Sequence, residues 1–388
     1  MDSLTLLSAR IQFLDTQLTL IHIPLRLYSS FLQPILQLLL PTNIGGENRP
    51  SSNGSGSAPQ LQEHVFINVS VTPVECSIAC PREIADSLFA PARDALGSED
   101  DRNSVAMSID DYCVMQVEGE GLEAGQRVLE LTSPLAMAGV SIFFITTYYS
   151  DYILVPQRSR AQVVSALEAR GFAFEASNSS YTSQAYTHRS NSSSSSFEHT
   201  LPGTPPPASI SELQTRTFAT LKKHSIVPTV DRSIRLVQCS ARKDSSRGSS
   251  STSDKLKLGL VRALVSQPKF LSLTLTDEED ASLLLEKEMI PFFGPEDDSV
   301  LLGSGHGAEV HVPIILDLRT LPLESTGIVC GVAGRLVGGT RISFLDAVEM
   351  SYLSTARAGT VMVAEPELER ALGALRSESG ENGVVRAD

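Results

Sequence analysis

Few residues in this chain stand at spacings that do chemistry. Asp110–Asp111 and the acidic run TDEEDAS (276–282) could supply paired carboxylates for proton transfer or for a cation. With a formal net charge of −14, such pairs read first as solvated turns. GSGHG (303–307) has the glycines of a phosphate-cradling loop but neither its lysine nor a strand–loop–helix setting, so it reads as a connector. Cys76 and Cys80 have a CxxxC spacing, and no second Cys or His pair follows to complete a zinc site. The metalloprotease HExxH, Walker A, GxSxG and kinase signatures are all missing. The seven histidines are scattered, and none pairs with a nucleophile. These residue types point away from catalysis, metal and cofactor, and toward binding.

One spacing suits binding. Gly327–Ile328 opens the helix-patterned stretch GIVCGVAGRLVGG (327–339). Backbone N–H groups at a helix start lack intrahelical partners and can hold a carboxylate. A glycine there equally permits a tight strand-to-helix turn, and both readings stand. The other conspicuous stretch is VSIFFITTYYSDYILVP (140–156). Two β-rich runs flank a polar tip with two aromatic rings, the pattern of a hairpin.

The elements that must position these residues are legible between polar linkers. VFINVSVT (65–72) and ECSIAC (75–80) read as strands, and REIADSLFAPARDAL has helical spacing. YCVMQVEG (112–119) reads as a strand, residues 121–139 and 158–172 as helices, and FAFEA as a closing strand. Residues 112–176 therefore spell β-α-β-β-α-β, the ferredoxin-like motif. The second half repeats this grammar. IRLVQCS (234–240), FLSLTLT, ASLLLEK, VHVPIILDL (310–318), MSYLSTA and GTVMV are strands; residues 255–267, 327–339 and 365–375 are helices. ITTYYSDYILVP lies over LSTARAGTVMVA without a gap. The expected fold is α+β: tandem ferredoxin-like βαββαβ units in two pairs, with Ser/Gly/Pro-rich linkers. Sheets of paired units can join edge to edge and leave a pocket at the joint.

The expected boundaries are 1–111 for the first unit (with a disordered loop at 43–62), 112–176 for the second, 231–300 for the third and 308–377 for the fourth. A disordered Ser/Pro-rich linker spans 177–230, a short Ser-rich stretch lies at 242–253, and 378–388 form a disordered tail. Such compositions bury too little apolar surface to offset chain entropy. The acidic balance, pI ≈ 5.0, argues against nucleic acid and anionic membranes as partners. Arg10, Asp15 and Arg26 interrupt the apolar N-terminal run, so neither a signal peptide nor a membrane span is expected, and the expected location is cytoplasmic. Cys113, Cys239 and Cys330 sit in apolar, strand-like contexts; with Cys76 and Cys80 they read as buried, reduced thiols.

This order of features resembles the ACT-domain family, βαββαβ modules that bind small molecules, and within it the CASTOR-type cytosolic arginine sensors of the TOR pathway. RIQFLDTQLTLIHIPLRLYSSFLQPILQLLLP resembles the family's opening strand–helix. AGVSIFFITTYYSDYILV resembles its second-unit hairpin, and STGIVCGVAGRL and LSTARAGTVMV its fourth unit. The resemblance implies an amino acid held between the second and fourth units. Ser141 and Ile142 would meet it from the strand start, Gly327, Ile328 and Val329 from the helix start, and Thr355 and Ala356 from the opposite wall. Ser325 and Gly359 stand where arginine sensors carry acids, and Glu324 lies one residue away. Fold and pocket position therefore carry over better than arginine specificity. The tip Tyr148–Tyr149–Ser150–Asp151 falls where animal sensors contact the GATOR (SEA-type) regulator of the TOR complex. The functional expectation is a non-catalytic amino-acid sensor feeding TOR signalling through ligand-dependent partner binding, and a homodimer is compatible with it. The alternatives are a regulatory subunit of an amino-acid biosynthetic enzyme, in the manner of the ACT tail of aspartokinases, and a ligand-free interaction scaffold.

Overall fold

A computed structural model describes residues 9–40, 66–118, 123–175, 207, 209–242, 250–295, 298–337 and 347–376. The loop expected at 43–62, most of the Ser/Pro-rich linker, the centre of 242–253 and the tail 378–388 lie outside the described residues.

The first half of the chain runs β1 (Arg10–Ile23), α1 (Tyr28–Leu39), β2 (Ile67–Val71) and β3 (Cys76–Pro81). Then α2 (Arg82–Ile84) passes through one π-helical stretch into α3 (Ala90–Asp94), followed by α4 (Glu99–Ser104) and β4 (Ala106–Met107). β5 (Tyr112–Glu118), α5 (Ala124–Met137), β6 (Phe143–Thr146), β7 (Asp151–Pro156), α6 (Arg160–Glu168) and β8 (Ala173–Phe174) complete it. The second half runs α7 (Ile210–Lys223), β9 (Leu236–Ala241), α8 (Ser250–Val265), β10 (Leu271–Leu275), β11 (Ser282–Glu286) and β12 (Leu301–Leu302). It ends with β13 (His311–Asp317), α9 (Ile328–Val337), β14 (Met350–Ser354), β15 (Ala358–Ala364) and α10 (Leu368–Arg376). Among the described residues no helix is long and apolar enough to cross a membrane.

The expected tandem ferredoxin-like units in two pairs are not what forms. Twelve strands close into one antiparallel barrel, ordered β11-β10-β2-β3-β1-β5-β7-β6-β14-β15-β13-β9, with β9 pairing back to β11. Free sheet edges template aggregation, and closure removes them. β1 does much of the joining. At fourteen residues it pairs β3 with its C-terminal half and β5 with its N-terminal half, and its register to β5 shifts between Leu14 and Leu18. Such an irregularity lets one strand turn a barrel corner. Across the halves, β2 meets β10 over five residue pairs, from Leu271↔Val71 to Leu275↔Ile67. β6 meets β14 at one pair, Leu353↔Ile145. Around that pair side chains substitute for the ladder: Phe144 N–H donates to Ser354 Oγ at 3.0 Å, and Tyr352 N–H to Thr146 Oγ1 at 3.2 Å.

Period-2 alternation sorts the core. Tyr112, Val114, Phe143, Ile145, Tyr152 and Leu154 point into one cluster inside the ring, while Cys113, Met115, Phe144, Ile153 and Val155 point outward under helices. With both faces buried, these strands read as continuous apolar runs. α5, α6, α9 and α10 cover one part of the outer face, and α1 and α8 another. All five cysteines are buried in these layers, and burial pushes the Cys80 and Cys239 thiols up to about 12 and that of Cys113 to about 11.

The helix α7 lies inside the stretch 177–230 expected to be unstructured, which corrects that boundary. It seats on α9. Thr217 Oγ1 donates to the Gly327 carbonyl at 3.2 Å, and the Arg335 guanidinium stacks 3.3 Å over the Phe218 ring.

Candidate functional site

Three hairpin tips share one device. In Thr72–Glu75, Thr147–Ser150 and Thr355–Ala358, the threonine N–H and hydroxyl both donate to the carbonyl of the fourth residue, whose own N–H returns to the threonine oxygen. The tip between β10 and β11 is longer, seven residues between the paired Thr274 and Ser282; there Glu279 N–H donates to Thr276 Oγ1 at 3.1 Å. These rigid tips grip one another across the ring. Glu75, fully buried, accepts from Thr355 Oγ1 at 2.6 Å and from Arg357 N–H at 2.5 Å, and its other oxygen lies 2.5 Å from His22 Nδ1. Reciprocally, Glu279 accepts from Ser150 Oγ, Tyr152 Oη and Gln116 Nε2. The acidic run 276–282 is therefore in part a structural latch rather than a proton-transfer pair.

The seam between β6 and β14 collects most of the expected ligand-binding residues. Ile142, Ser325, Ile328 and Val329 line two adjoining spaces there; Gly327 borders one, and Thr355 and Ala356 the other. Gly327 has φ +79°, a left-handed conformation that favours glycine, so the tight-turn reading holds for it. The first turn of α9 still presents backbone N–H groups to the seam. Ser141 is buried behind the seam without lining it. Glu324 turns outward and pairs with Arg158 at 2.7 Å, so it contributes no charge to the pocket.

The two spaces measure about 20 and 50 Å³, room for one to a few water molecules. Leu321 and Leu323, on the loop between β13 and α9, close the larger one. At the position aligned with an arginine sensor's acid, a Cβ on Gly359 would lie 2.3 Å from Tyr352 Oη. The Tyr352 ring fills that corner, and its hydroxyl is held well above the usual phenol range by burial. Among the described residues no carboxylate lines either space.

The tip divides into two kinds of residue. Tyr148 and Tyr149 are 39% and 48% exposed, and their rings meet edge to face at 4.9 Å. Tyr148 N–H donates to Ser282 Oγ at 2.9 Å, and its ring sits where a Cβ on Gly303 (φ +82°) would intrude. Ser150 and Asp151 are buried, Ser150 on Glu279 and Asp151 on Arg127 Nε at 3.0 Å. Two of the four residues expected to dock a partner thus serve the interior.

At the other end of the same seam opens a cleft of about 890 Å³, bordered by the N-terminus of α5, the β6–β7 tip, the loop before β13 and the start of β14. Of its residues, sequence reasoning singled out Tyr148, as part of the tip, and Gly303, within GSGHG; the rest come from distant segments and carry no motif. His311, on its wall, has a buried and unpartnered Nδ1, and burial lowers its pKa.

Residues 107–169 match the family model of the ACT domain. These residues supply β5, α5, β6, β7 and α6, hence one wall of both the seam spaces and the cleft. No curated protein matches the chain. Among solved structures, the chain is similar to protein Atu0741 from Agobacterium tumefaciens (16% identity over 43% of this chain and 92% of that one, TM-score 0.24). It is also similar to aspartate kinase from Synechocystis (10% identity, 94% of this chain and 54% of that one, TM-score 0.31). A third is VC0802 from Vibrio cholerae, a protein of unknown function titled a possible transport protein (15% identity, 42% and 91%, TM-score 0.26). The ACT match suggests amino-acid-binding regulation; it reaches neither arginine nor a TOR-pathway partner.

Proposed function

We propose that the protein is a non-catalytic regulator that binds an amino acid with a neutral side chain at the β6–β14 seam. The observation that carries this reading is the coincidence of the ACT-domain match with the wall of the seam that faces the first turn of α9. The ligand's carboxylate would take the N–H groups of Ile328 and Val329. Its side chain would meet Ile142, Leu321, Leu323 and Tyr352. A guanidinium there would be desolvated without a carboxylate partner, which speaks against arginine. Entry requires the loop carrying Leu321 and Leu323 to move outward. Isothermal calorimetry and thermal shift against the common amino acids test this. One or a few neutral amino acids should bind, and Ile142→Trp, which fills the seam, should abolish the response while circular dichroism stays native. Absence of any response in the unmodified protein would overturn the reading, as would a preference for arginine.

A further inference from the structure

We propose that the Tyr352 hydroxyl recognises the ligand's side chain at the seam, and that the neutral amino acid bound there carries a carboxamide or a hydroxyl. This rests on amino-acid binding at the seam and names the class of amino acid.

Among the described residues, four polar side chains line the larger seam space: Ser325, Tyr352, Ser354 and Thr355. Three are committed. Ser325 Oγ donates to the Pro322 carbonyl at 2.8 Å, Ser354 Oγ accepts from Phe144 N–H at 3.0 Å, and Thr355 Oγ1 donates to Glu75 at 2.6 Å. Tyr352 is the exception. Its backbone N–H donates to Thr146 Oγ1, but among the described residues its hydroxyl meets neither donor nor acceptor, and burial alone raises its pKa. The residue is fully buried. A buried hydroxyl without a partner is costly, and a ligand group that bonds to it recovers that cost.

The hydroxyl's position is fixed by its neighbours. Tyr352 stands opposite Val361 in the β14–β15 ladder, which makes Gly359 its diagonal neighbour on the same face. A Cβ on Gly359 would lie 2.3 Å from Tyr352 Oη and 3.3 Å from Cζ, so the missing side chain is what lets the ring lie across β15. Leu318 Cδ1 is 3.7 Å from the same point, at the start of the loop whose Leu321 and Leu323 close the space. The space also reaches Ile328 and Val329 in the first turn of α9. One ligand can therefore place its carboxylate on the helix start and its side chain on Tyr352.

The surroundings select the side chain. The buried phenol stays neutral and offers a dipole rather than a charge. Among the described residues no lysine, arginine or histidine lines the space, so a side-chain carboxylate would be desolvated without a counter-charge. A purely aliphatic side chain would leave the hydroxyl unpaired. A carboxamide or hydroxyl satisfies it without adding charge.

The test has two arms, both on the full chain. In the first, urea unfolding without ligand compares Tyr352→Phe with the parent. Phenylalanine keeps the ring and removes an unpartnered hydroxyl, so the variant should be at least as stable. A clear loss of stability would mean that the hydroxyl is already bonded in the free protein, and would overturn the proposal. In the second, calorimetry compares isosteric pairs: glutamine with methionine, asparagine with leucine, threonine with valine. In at least one pair the parent should prefer the polar member. Tyr352→Phe should weaken that member about tenfold and leave its apolar counterpart within about twofold. Preference for the apolar member of every pair would overturn the proposal while amino-acid binding at the seam stands. So would a variant that binds both members as the parent does, or that weakens both equally. No binding of any amino acid would overturn both readings.

Discussion

Glu75 shows how a single buried carboxyl ties the site to a distant part of the chain. It sits in the β2–β3 tip, yet two of its three partners belong to the β14–β15 tip that walls the seam. Thr355 can fall back on the Ala358 carbonyl at 3.3 Å. Arg357 N–H donates to Glu75, and removing the carboxyl takes that acceptor away. Glu75→Ala should therefore destabilise the protein by about 1–3 kcal/mol, the cost of an unsatisfied buried donor. Glu75→Gln, which keeps an acceptor oxygen, should cost less than half of that. Urea unfolding of the two variants measures both. An alanine variant as stable as the parent would show that the tip is held by its own threonine device alone. Nothing in the sequence singled out Glu75, since its partners lie more than fifty and nearly three hundred residues away.

Elements with strong local patterning were legible. The hairpin at 140–156, the helix after Gly327 and the strand pairs of the second half all lie where alternation and helical spacing place them. α7 was hidden because its surroundings are polar and Ser/Pro-rich. Its own signal was present: Ser209-x-x-Glu212 is a capping pattern, and the Ser209 hydroxyl accepts from Glu212 N–H at 3.2 Å. Leu213, Thr217 and Leu221 follow at four-residue spacing and are buried on one face. The partner helix is shaped to receive it. A Cβ on Gly331 would come within 2.7–2.8 Å of three Thr217 side-chain atoms. Gly331→Ala should then lower stability by about 1–3 kcal/mol through overpacking, despite alanine's better helix propensity. A thermal melt decides the sign. A higher midpoint would mean that α7 slides aside and contributes little to holding α9 and the helix start that faces the β6–β14 seam.

The barrel was the least legible level, because its closure depends on pairings between the two halves of the chain. Each half supplies six ring strands: β2-β3-β1-β5-β7-β6 from the first and β10-β11-β9-β13-β15-β14 from the second. Local repeats reveal the hairpins but not which edges meet. The two junctions differ in kind. β2–β10 is a full ladder backed by Asn68 Nδ2 bonded to Thr274 Oγ1 at 3.0 Å and by a 2.8 Å Ser70–Ser272 contact. β6–β14 is splayed around one residue pair, with the larger seam space at one end and the cleft at the other. The first junction therefore carries most of the backbone pairing between the halves, and the second carries little. Residues 9–175 and 207–376, co-expressed as separate chains, should associate into a stable heterodimer through the reciprocal Glu75 and Glu279 latches and the β2–β10 ladder. Either half alone would expose two unpaired sheet edges and should aggregate. Size-exclusion chromatography distinguishes the outcomes. Next, Ser70→Lys with Ser272→Lys places like charges into the buried ladder and should separate the co-expressed halves. Thr146→Ala with Ser354→Ala, which removes the side-chain bonds that bridge the splayed seam, should leave them associated. Separation by the seam variant alone would reverse the assignment, making β6–β14 the structural joint and β2–β10 the one free to move.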